Sequence, residues 1–200
     1  RTGLRTRQET SGILPTLEQV NGGWTDGNTA NLSIGQGDLS VTPLQMAVAY
    51  AAIANGGKIF WPRLVSRIEP QDPAAHGAVT NLPSALLRDQ IGVSPRNLQI
   101  LHNAMLAETE EGTGKAAQVP GLRICGKTGT AQVTDERGRE VGVTTWFASF
   151  APYENPRYAV IVMVEGGTYG GTTCAPIAHD IYEAIVKKET SGATKAPAAR

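Results

Sequence analysis

Three stretches of the chain repeat apolar residues at the spacing of a helix with one buried face. The first begins at Thr42, an N-cap residue that forms a capping box with Gln45, and Ser94 begins the second by similar cap logic. The third begins at about Pro176. The predicted apolar faces are Leu44, Val48, Ala51 and Ala52; then Leu98, Leu101 and Met105; then Ile177, Ile181, Ala184 and Ile185.

Between the second and third helices the pattern changes to strand-forming runs. We predict strands at residues 123–133, 143–150 and 158–164, separated by short turns that favour an antiparallel meander. The third run is almost continuously apolar, which predicts that both of its faces are covered. Helices followed by a meander and a closing helix make an α+β domain.

The remaining segments carry weaker patterns. Residues 1–40 predict loops with short elements, and short strands are expected at 58–61 and 64–68. Residues 70–93 predict a surface excursion with one helical turn around Leu86. The Ala-, Pro-, Ser- and Lys-rich end predicts a disordered tail at 189–200, so the folded domain is expected to span 1–188.

Composition narrows the class of protein. The 200 residues suffice for one domain, and 18 basic against 18 acidic residues argue against nucleic acid or an anionic membrane as the main partner. No apolar run approaches the ~20 residues of a membrane helix. Arg1 and its neighbours resemble neither a signal peptide nor a natural start, so we expect a fragment, a processed chain or a trimmed piece.

Metal and cofactor chemistry is not indicated. The three histidines are scattered, without metal-ligand spacing, so we expect no metal and no cofactor. Cys125 and Cys174 are interpreted as buried free thiols in preference to a disulfide. The histidines, each interpreted as a surface or core residue, are His76, His102 and His179.

The most informative stretch is Lys127-Thr128-Gly129-Thr130. Residues 121–128 match the Walker A pattern, but Leu, Arg, Ile and Cys at its loop positions favour extended backbone and no helix follows, so nucleotide binding is rejected. As a strand, the stretch offers a docking edge for an extended peptide. The alternative is a solvated strand end without function.

Each residue type in this edge has a chemical use. Gly126 and Gly129 leave space where another backbone comes close, and Lys127 supplies a charge for a carboxylate. Thr128 and Thr130 add hydroxyl donors, and a backbone amide here would form half of an oxyanion hole. Such an edge needs a nucleophile, yet the chain has neither a Gly-x-Ser-x-Gly elbow nor a Ser-x-x-Lys motif.

Several other stretches of the sequence, together with this motif, resemble a known protein family. Residues 33–37, 41–47, 54–57, 126–132, 146–152, 155–160 and 175–178 resemble, in order, phrases of the transpeptidase domain of class B penicillin-binding proteins, with the elongation-type branch most similar. The match covers roughly 3–188. It implies the C-terminal part of a penicillin-binding and serine β-lactamase-like fold, an antiparallel sheet with helices on both faces.

The resemblance implies a function and a site. The complete domain is expected to be a peptidoglycan D,D-transpeptidase that cross-links stem peptides ending in D-Ala-D-Ala through a serine acyl-enzyme, and to bind β-lactams. Lys127, Thr128 and Gly129 match its Lys-Thr-Gly motif. Lys127 is expected to hold the substrate carboxylate with help from Thr128 and Thr130, whose amide completes the oxyanion hole.

The family's Ser-x-x-Lys and Ser-x-Asn motifs are expected upstream, so this chain alone is predicted to be inactive. The expected location is the periplasmic or extracytoplasmic face of the plasma membrane, with an N-terminal anchor outside this chain. Its partners would be the upstream half of the domain and a glycosyltransferase. Two alternatives stay open: a non-catalytic β-lactam-binding sensor or scaffold, and a D,D-carboxypeptidase or β-lactamase of the same fold.

Overall fold

The computed structural model describes residues 1–4, 8–72, 78–135 and 137–193. Predictions for His76 and for residues 194–200 of the tail lie outside the described residues. The helices are α1 Leu17–Asn21, α2 Asp26–Ser33, α3 Pro43–Ala54, α4 Pro95–Glu110 and α5 Gly170–Ala193, with a 3₁₀ helix at Lys115–Ala117. The strands are β1 Lys58–Phe60, β2 Arg67–Ile68, β3 Thr80–Asn81, β4 Leu87–Gln90, β5 Cys125–Thr134, β6 Glu140–Ala151 and β7 Tyr158–Glu165.

The starts of α3 and α4 follow the predicted caps. The Thr42 hydroxyl accepts the Gln45 N–H at 3.2 Å, and the Gln45 side chain accepts the Thr42 N–H at 2.8 Å. Ser94 caps α4 in the same way by accepting the N–H of Asn97 at 3.2 Å. Both helix starts are therefore confirmed.

The predicted meander is confirmed as an antiparallel sheet in the order β5-β6-β7. On one face, α3 and α4 pack with Cys125 and Phe150. On the other, α5 covers Phe147 and Val162 and buries Tyr182 beside Ala151. Helices therefore cover both faces of the sheet, as the α+β prediction requires.

The start of α5 differs from its prediction. The helix begins at Gly170, and Pro176 lies inside it rather than at its first position. Cys174, Ala175 and Ala178 are fully buried, so packing of small side chains against the sheet outweighs the cost of an interior proline. The helix also continues through Ala193, beyond the predicted domain end at 188.

The prediction for residues 70–93 is wrong at Leu86. The carbonyl of Leu86 accepts the N–H of Trp61 at 2.9 Å, and β4 follows immediately and pairs with β1. The predicted strand at 64–68 is reduced to β2, which pairs with β3. These strands depend on partners distant in sequence, so local patterns do not reveal them.

Candidate active site

The candidate site lies on β5, where the strand changes from buried to exposed. Cys125 and Gly126 are buried, whereas Lys127 and Thr130 are exposed. Among the strands of the described sheet, β5 pairs only with β6, so its other side is an edge. The docking-edge interpretation thus has the geometry that it needs.

A cavity of about 260 Å³ adjoins this edge. The loop before α3, the first turns of α3, and β5 and β6 form its walls. Lys127 carries the only formal charge among the described residues that line it, so the cavity suits an anionic group. The lining residues are Ile34, Gly35, Gln36, Leu39, Val41, Met46, Tyr50, Lys127, Thr128, Gly129, Thr130, Ala131, Trp146 and Ala148.

Thr128 is bound to a carboxylate of the chain itself. Oε1 of Glu108 accepts the Thr128 N–H at 3.2 Å and the Thr128 hydroxyl at 3.0 Å. The hydroxyl of Thr113 donates to the same oxygen at 2.8 Å and lies 2.6 Å from that of Thr128. Because Glu108 receives the Thr128 N–H, this main-chain group points away from β6 towards the edge.

Thr130 lies two residues further along and points its main-chain groups the same way. Its carbonyl accepts the side-chain N–H of Gln36 at 3.3 Å, which agrees with that direction. Its hydroxyl oxygen accepts the N–H of Gly170 at 3.4 Å, which leaves the hydroxyl proton available. The Thr130 N–H has no hydrogen-bond acceptor among the residues that the structure describes.

The two glycines of the edge, Gly126 and Gly129, have different surroundings. A Cβ at Gly126 would lie 2.5 Å from Cζ of Phe147, so Gly126 makes room for a core ring and not for a substrate. The start of α5 lies against the backbone at Gly129, where a Cβ at Gly170 would lie 2.7 Å from the Gly129 carbonyl oxygen. A Cβ at Gly129 itself would lie 3.4 Å from Cβ of Trp146, an ordinary contact distance, so the close approach of a substrate backbone at Gly129 stays a prediction.

With the residues that the structure describes, Lys127 makes one polar contact, in which Nζ donates to the carbonyl of Thr128 at 3.0 Å. Across the cavity, burial and then the negative charge of Glu108 raise the pKa of Tyr50 to about 12, so its phenol stays protonated near neutral pH. Burial likewise raises the pKa of the Cys125 thiol to about 12. Cys125 and Cys174 are both free and buried, as predicted.

Other kinds of site find no support in the described ranges. β5 runs on to Thr134 without opening a helix, which agrees with rejecting a Walker A loop. Within residues 1–4, 8–72, 78–135 and 137–193, no three His, Cys, Asp or Glu side chains gather as metal ligands. None of the described helices is long and apolar enough to cross a membrane.

The family model described as the penicillin binding protein transpeptidase domain matches residues 1–183. The chain belongs to this transpeptidase family. Its relatives include the peptidoglycan D,D-transpeptidase MrdA of Haemophilus influenzae, 31% identical over 91% of this chain and 30% of the relative. Stage V sporulation protein D of Bacillus subtilis is 36% identical over 90% of this chain and 27% of the relative.

Solved transpeptidase structures share the fold. Penicillin-binding protein 3 of Mycobacterium tuberculosis in complex with ampicillin aligns with a TM-score of 0.78 at 32% identity, over 95% of this chain and 43% of that one. The resemblance to class B penicillin-binding proteins is therefore confirmed. The relatives just named, at 31% and 36% identity, do not single out an elongation-type branch, which stays a prediction.

The chain spans less than a third of the length of the curated relatives named above. Sequence patterns singled out Lys127–Thr130 as the candidate site but missed three of its neighbours. Glu108, Gln36 and Gly170 each reach β5 from another element. A signal was present for Glu108, because a glutamate near a helix C-terminus is disfavoured by the helix dipole and so requires a compensating contact.

Proposed function

We propose that this chain forms the C-terminal part of a serine D,D-transpeptidase domain and presents the strand on which the peptide substrate is held. The observation that supports this most is the edge of β5, where an exposed Lys127 adjoins the cavity and the Thr130 N–H has no acceptor within the described part of the chain. The substrate class is a peptidoglycan stem peptide that ends in D-Ala-D-Ala.

The chemistry follows from what each group can donate. Lys127 attracts the terminal carboxylate of the substrate, and the Thr130 hydroxyl donates to it because its own oxygen already accepts from Gly170. The Thr130 N–H points towards the position that the carbonyl oxygen of an added strand would occupy. There it would stabilise the oxyanion of a tetrahedral intermediate. The attacking serine forms an ester, D-Ala leaves, and an amine of a second stem peptide then takes the acyl group.

The nucleophile is proposed to lie outside these 200 residues. The cavity beside β5 has no serine in its described lining. Ser149, the serine of β6, is buried and donates to the Val160 carbonyl at 2.9 Å while lying 3.0 Å from the Tyr182 hydroxyl. Ser94 and Ser33 are engaged at helix ends.

Location and further partners belong to the same proposal. Action on peptidoglycan requires the extracytoplasmic side of the plasma membrane, with an anchor supplied by another part of the protein. β-Lactams would acylate the same serine, and a glycosyltransferase is a proposed partner in building the glycan strands.

The direct test is acylation of the full-length protein by a fluorescent penicillin, followed by proteolysis and mass mapping. The expected result is one label on a serine outside the 200 residues, prevented by prior incubation with unlabelled ampicillin. A second reaction, with a D-Ala-D-Ala peptide and an amine acceptor, should release D-Ala and give the cross-linked product.

Three outcomes would contradict the proposal. A label on any serine within the 200 residues would place the nucleophile in this chain. The absence of any label would show that no acyl-enzyme forms. Labelling without release of D-Ala would identify a β-lactam-binding sensor instead of an enzyme.

A further inference from the structure

Glu108 places an internal carboxylate where the Lys-Thr-Gly motif is expected to receive one from the substrate. Three donors, the N–H and hydroxyl of Thr128 and the hydroxyl of Thr113, converge on its Oε1 at 3.2, 3.0 and 2.8 Å. We call these three donors the Thr128 cradle. A carboxylate from a substrate therefore meets a cradle that is already filled.

Glu108 contacts the Thr128 cradle from an electrostatically unfavourable position in its helix. Glu108 lies in the last turn of α4, where the helix dipole disfavours a negative charge. The turn that follows wraps around the side chain, and a Cβ at Gly114 would lie 2.3 Å from Oε2 of Glu108. Oε2 is buried and has no hydrogen-bond partner among the described residues. Since the three donors compensate this burial, Glu108 is fixed in place and does not behave as a surface glutamate.

The main-chain groups on the edge of β5 are almost all engaged. The Thr128 N–H donates to Glu108, the Thr128 carbonyl accepts from Lys127, and the Thr130 carbonyl accepts from Gln36. The fourth outward-pointing group, the Thr130 N–H, has no hydrogen-bond partner in the described part of the chain. The outward-pointing N–H groups of an edge strand lie two residues apart, as those of Thr128 and Thr130 do. If the Thr128 N–H were free, an added peptide strand could therefore pair with β5 in a second register, shifted by two residues.

We propose that Glu108 is a positioning residue that sets the register of the peptide substrate on β5. It fills the Thr128 cradle, so the scissile carbonyl pairs with the Thr130 N–H and the substrate carboxylate is left to Lys127 and Thr130. A second carboxylate at the cradle would lie within hydrogen-bond distance of the first, and this like-charge repulsion disfavours the shifted complex. The inference rests on the proposed transpeptidase function.

The proposal makes a specific kinetic prediction. Glu108→Ala empties the cradle, so an anionic substrate gains a non-productive binding mode in the shifted register. Non-productive binding lowers kcat and KM by the same factor and leaves kcat/KM unchanged, whereas general damage to the site lowers kcat/KM. A substrate without the carboxylate lacks the charge that drives the shift.

The test compares two thioester peptides on the full-length protein, one with a carboxylate on its leaving group and one with a carboxamide there. For the carboxylate substrate, Glu108→Ala should lower kcat and KM together by about ten-fold, the ratio expected if one charge-assisted hydrogen bond favours the shifted complex. For the carboxamide substrate, both constants should stay near those of the wild type. Glu108→Gln still fills the cradle with an acceptor and should restore both constants.

A fall of kcat/KM with both substrates, or unchanged constants with the carboxylate substrate, would overturn the assignment. If Glu108→Ala fails to fold, Thr113→Val provides the test, because it removes one donor that fixes the carboxylate. It should give the same parallel decrease at a smaller size, about two- to three-fold, because the two Thr128 donors still hold the carboxylate, and its absence would equally overturn the assignment. Absence of turnover by the wild type would instead refute the proposed function.

Discussion

The first two residues of β5 and the four that follow lie on the same strand but in opposite environments. Cys125 and Gly126 are sealed, the first among Met105, Leu106 and Phe150 and the second against the Phe147 ring. Lys127–Thr130 lie at an edge beside a cavity. The contrast shows how an exposed edge is anchored: its first residues pack into the core, and its exposed part carries the groups that we propose to meet a substrate.

If this division is correct, a change in the exposed part should affect chemistry with little effect on folding. Lys127→Ala in the full-length protein should slow acylation by penicillin by about 10²-fold or more, the usual cost of losing one preorganised electrostatic contact. Stopped-flow acylation with the fluorescent penicillin measures this rate. Gln132→Ala, on the same strand and outside the cavity lining, is the matched control and should acylate at the wild-type rate. An unchanged rate in Lys127→Ala would refute its role.

A change at Gly170, which packs against the exposed part of β5, should affect both the acylation rate and the stability of the fold. A Cβ at Gly170 would lie 2.2 Å from the Trp146 carbonyl oxygen and 3.0 Å from the Gly129 nitrogen, so Gly170→Ala must displace the backbone beside Thr130. We expect acylation to slow by about ten-fold or more, because small misplacements at a reacting centre are costly. Calorimetry should also show a lower unfolding midpoint. Retention of the wild-type rate would mean that Gly170 does not support the edge.

A change in the sealed part should affect stability first. Gly126→Ala forces a methyl group to within 2.5 Å of Phe147 Cζ, and overpacking of this kind costs about 1–3 kcal/mol. At about 2–4 °C per kcal/mol for a domain of this size, the calorimetric midpoint should fall by several degrees. Gly142 has open space around its Cα on the same sheet, so Gly142→Ala should leave the midpoint unchanged. Equal midpoints for the two variants would contradict the packing argument.

The smallest effect is expected at Cys125. Burial raises its thiol pKa to about 12, so the thiol is protonated below that pH and charged only above it. At pH 8 the thiolate fraction is about 10⁻⁴, which is too little for alkylation on the scale of minutes. Mass spectrometry after iodoacetamide treatment should find Cys125 unmodified in the native protein and modified after denaturation. Rapid native alkylation would show that the start of β5 opens.

The elements that could be predicted from the sequence are those fixed by neighbouring residues. The caps at Thr42 and Ser94 act over three positions, and the strand-forming runs of β5, β6 and β7 are local patterns. Leu86 was mispredicted because its main chain is held by Trp61, 25 positions earlier in the chain. The start of α5 was misplaced because burial of Cys174 and its neighbours, not a cap residue, determines it.

The candidate site divides in the same way. Lys127 to Thr130 form a contiguous motif and could be recognised as one. Gln36 reaches Thr130 across 94 positions, and Gly170 reaches it across 40. Glu108 lies 20 positions from Thr128, and the sequence marks it only by a negative charge near a helix C-terminus, where the dipole disfavours it. Contacts between separate elements depend on the folded arrangement, which periodicity and capping do not encode.

We propose that the Thr130 N–H, which has no hydrogen-bond acceptor among the described residues, is the donor of the β5 edge that receives the substrate. Hydrogen exchange of the full-length protein, read at single-amide resolution by electron-transfer fragmentation, tests it before and after acylation by penicillin. Exchange at Thr130 should slow by about ten-fold or more, because its N–H gains a hydrogen-bonded partner. The Thr128 amide, already bonded to Glu108, should change little. Unchanged exchange at Thr130, or new protection at Thr128 in its place, would contradict the account.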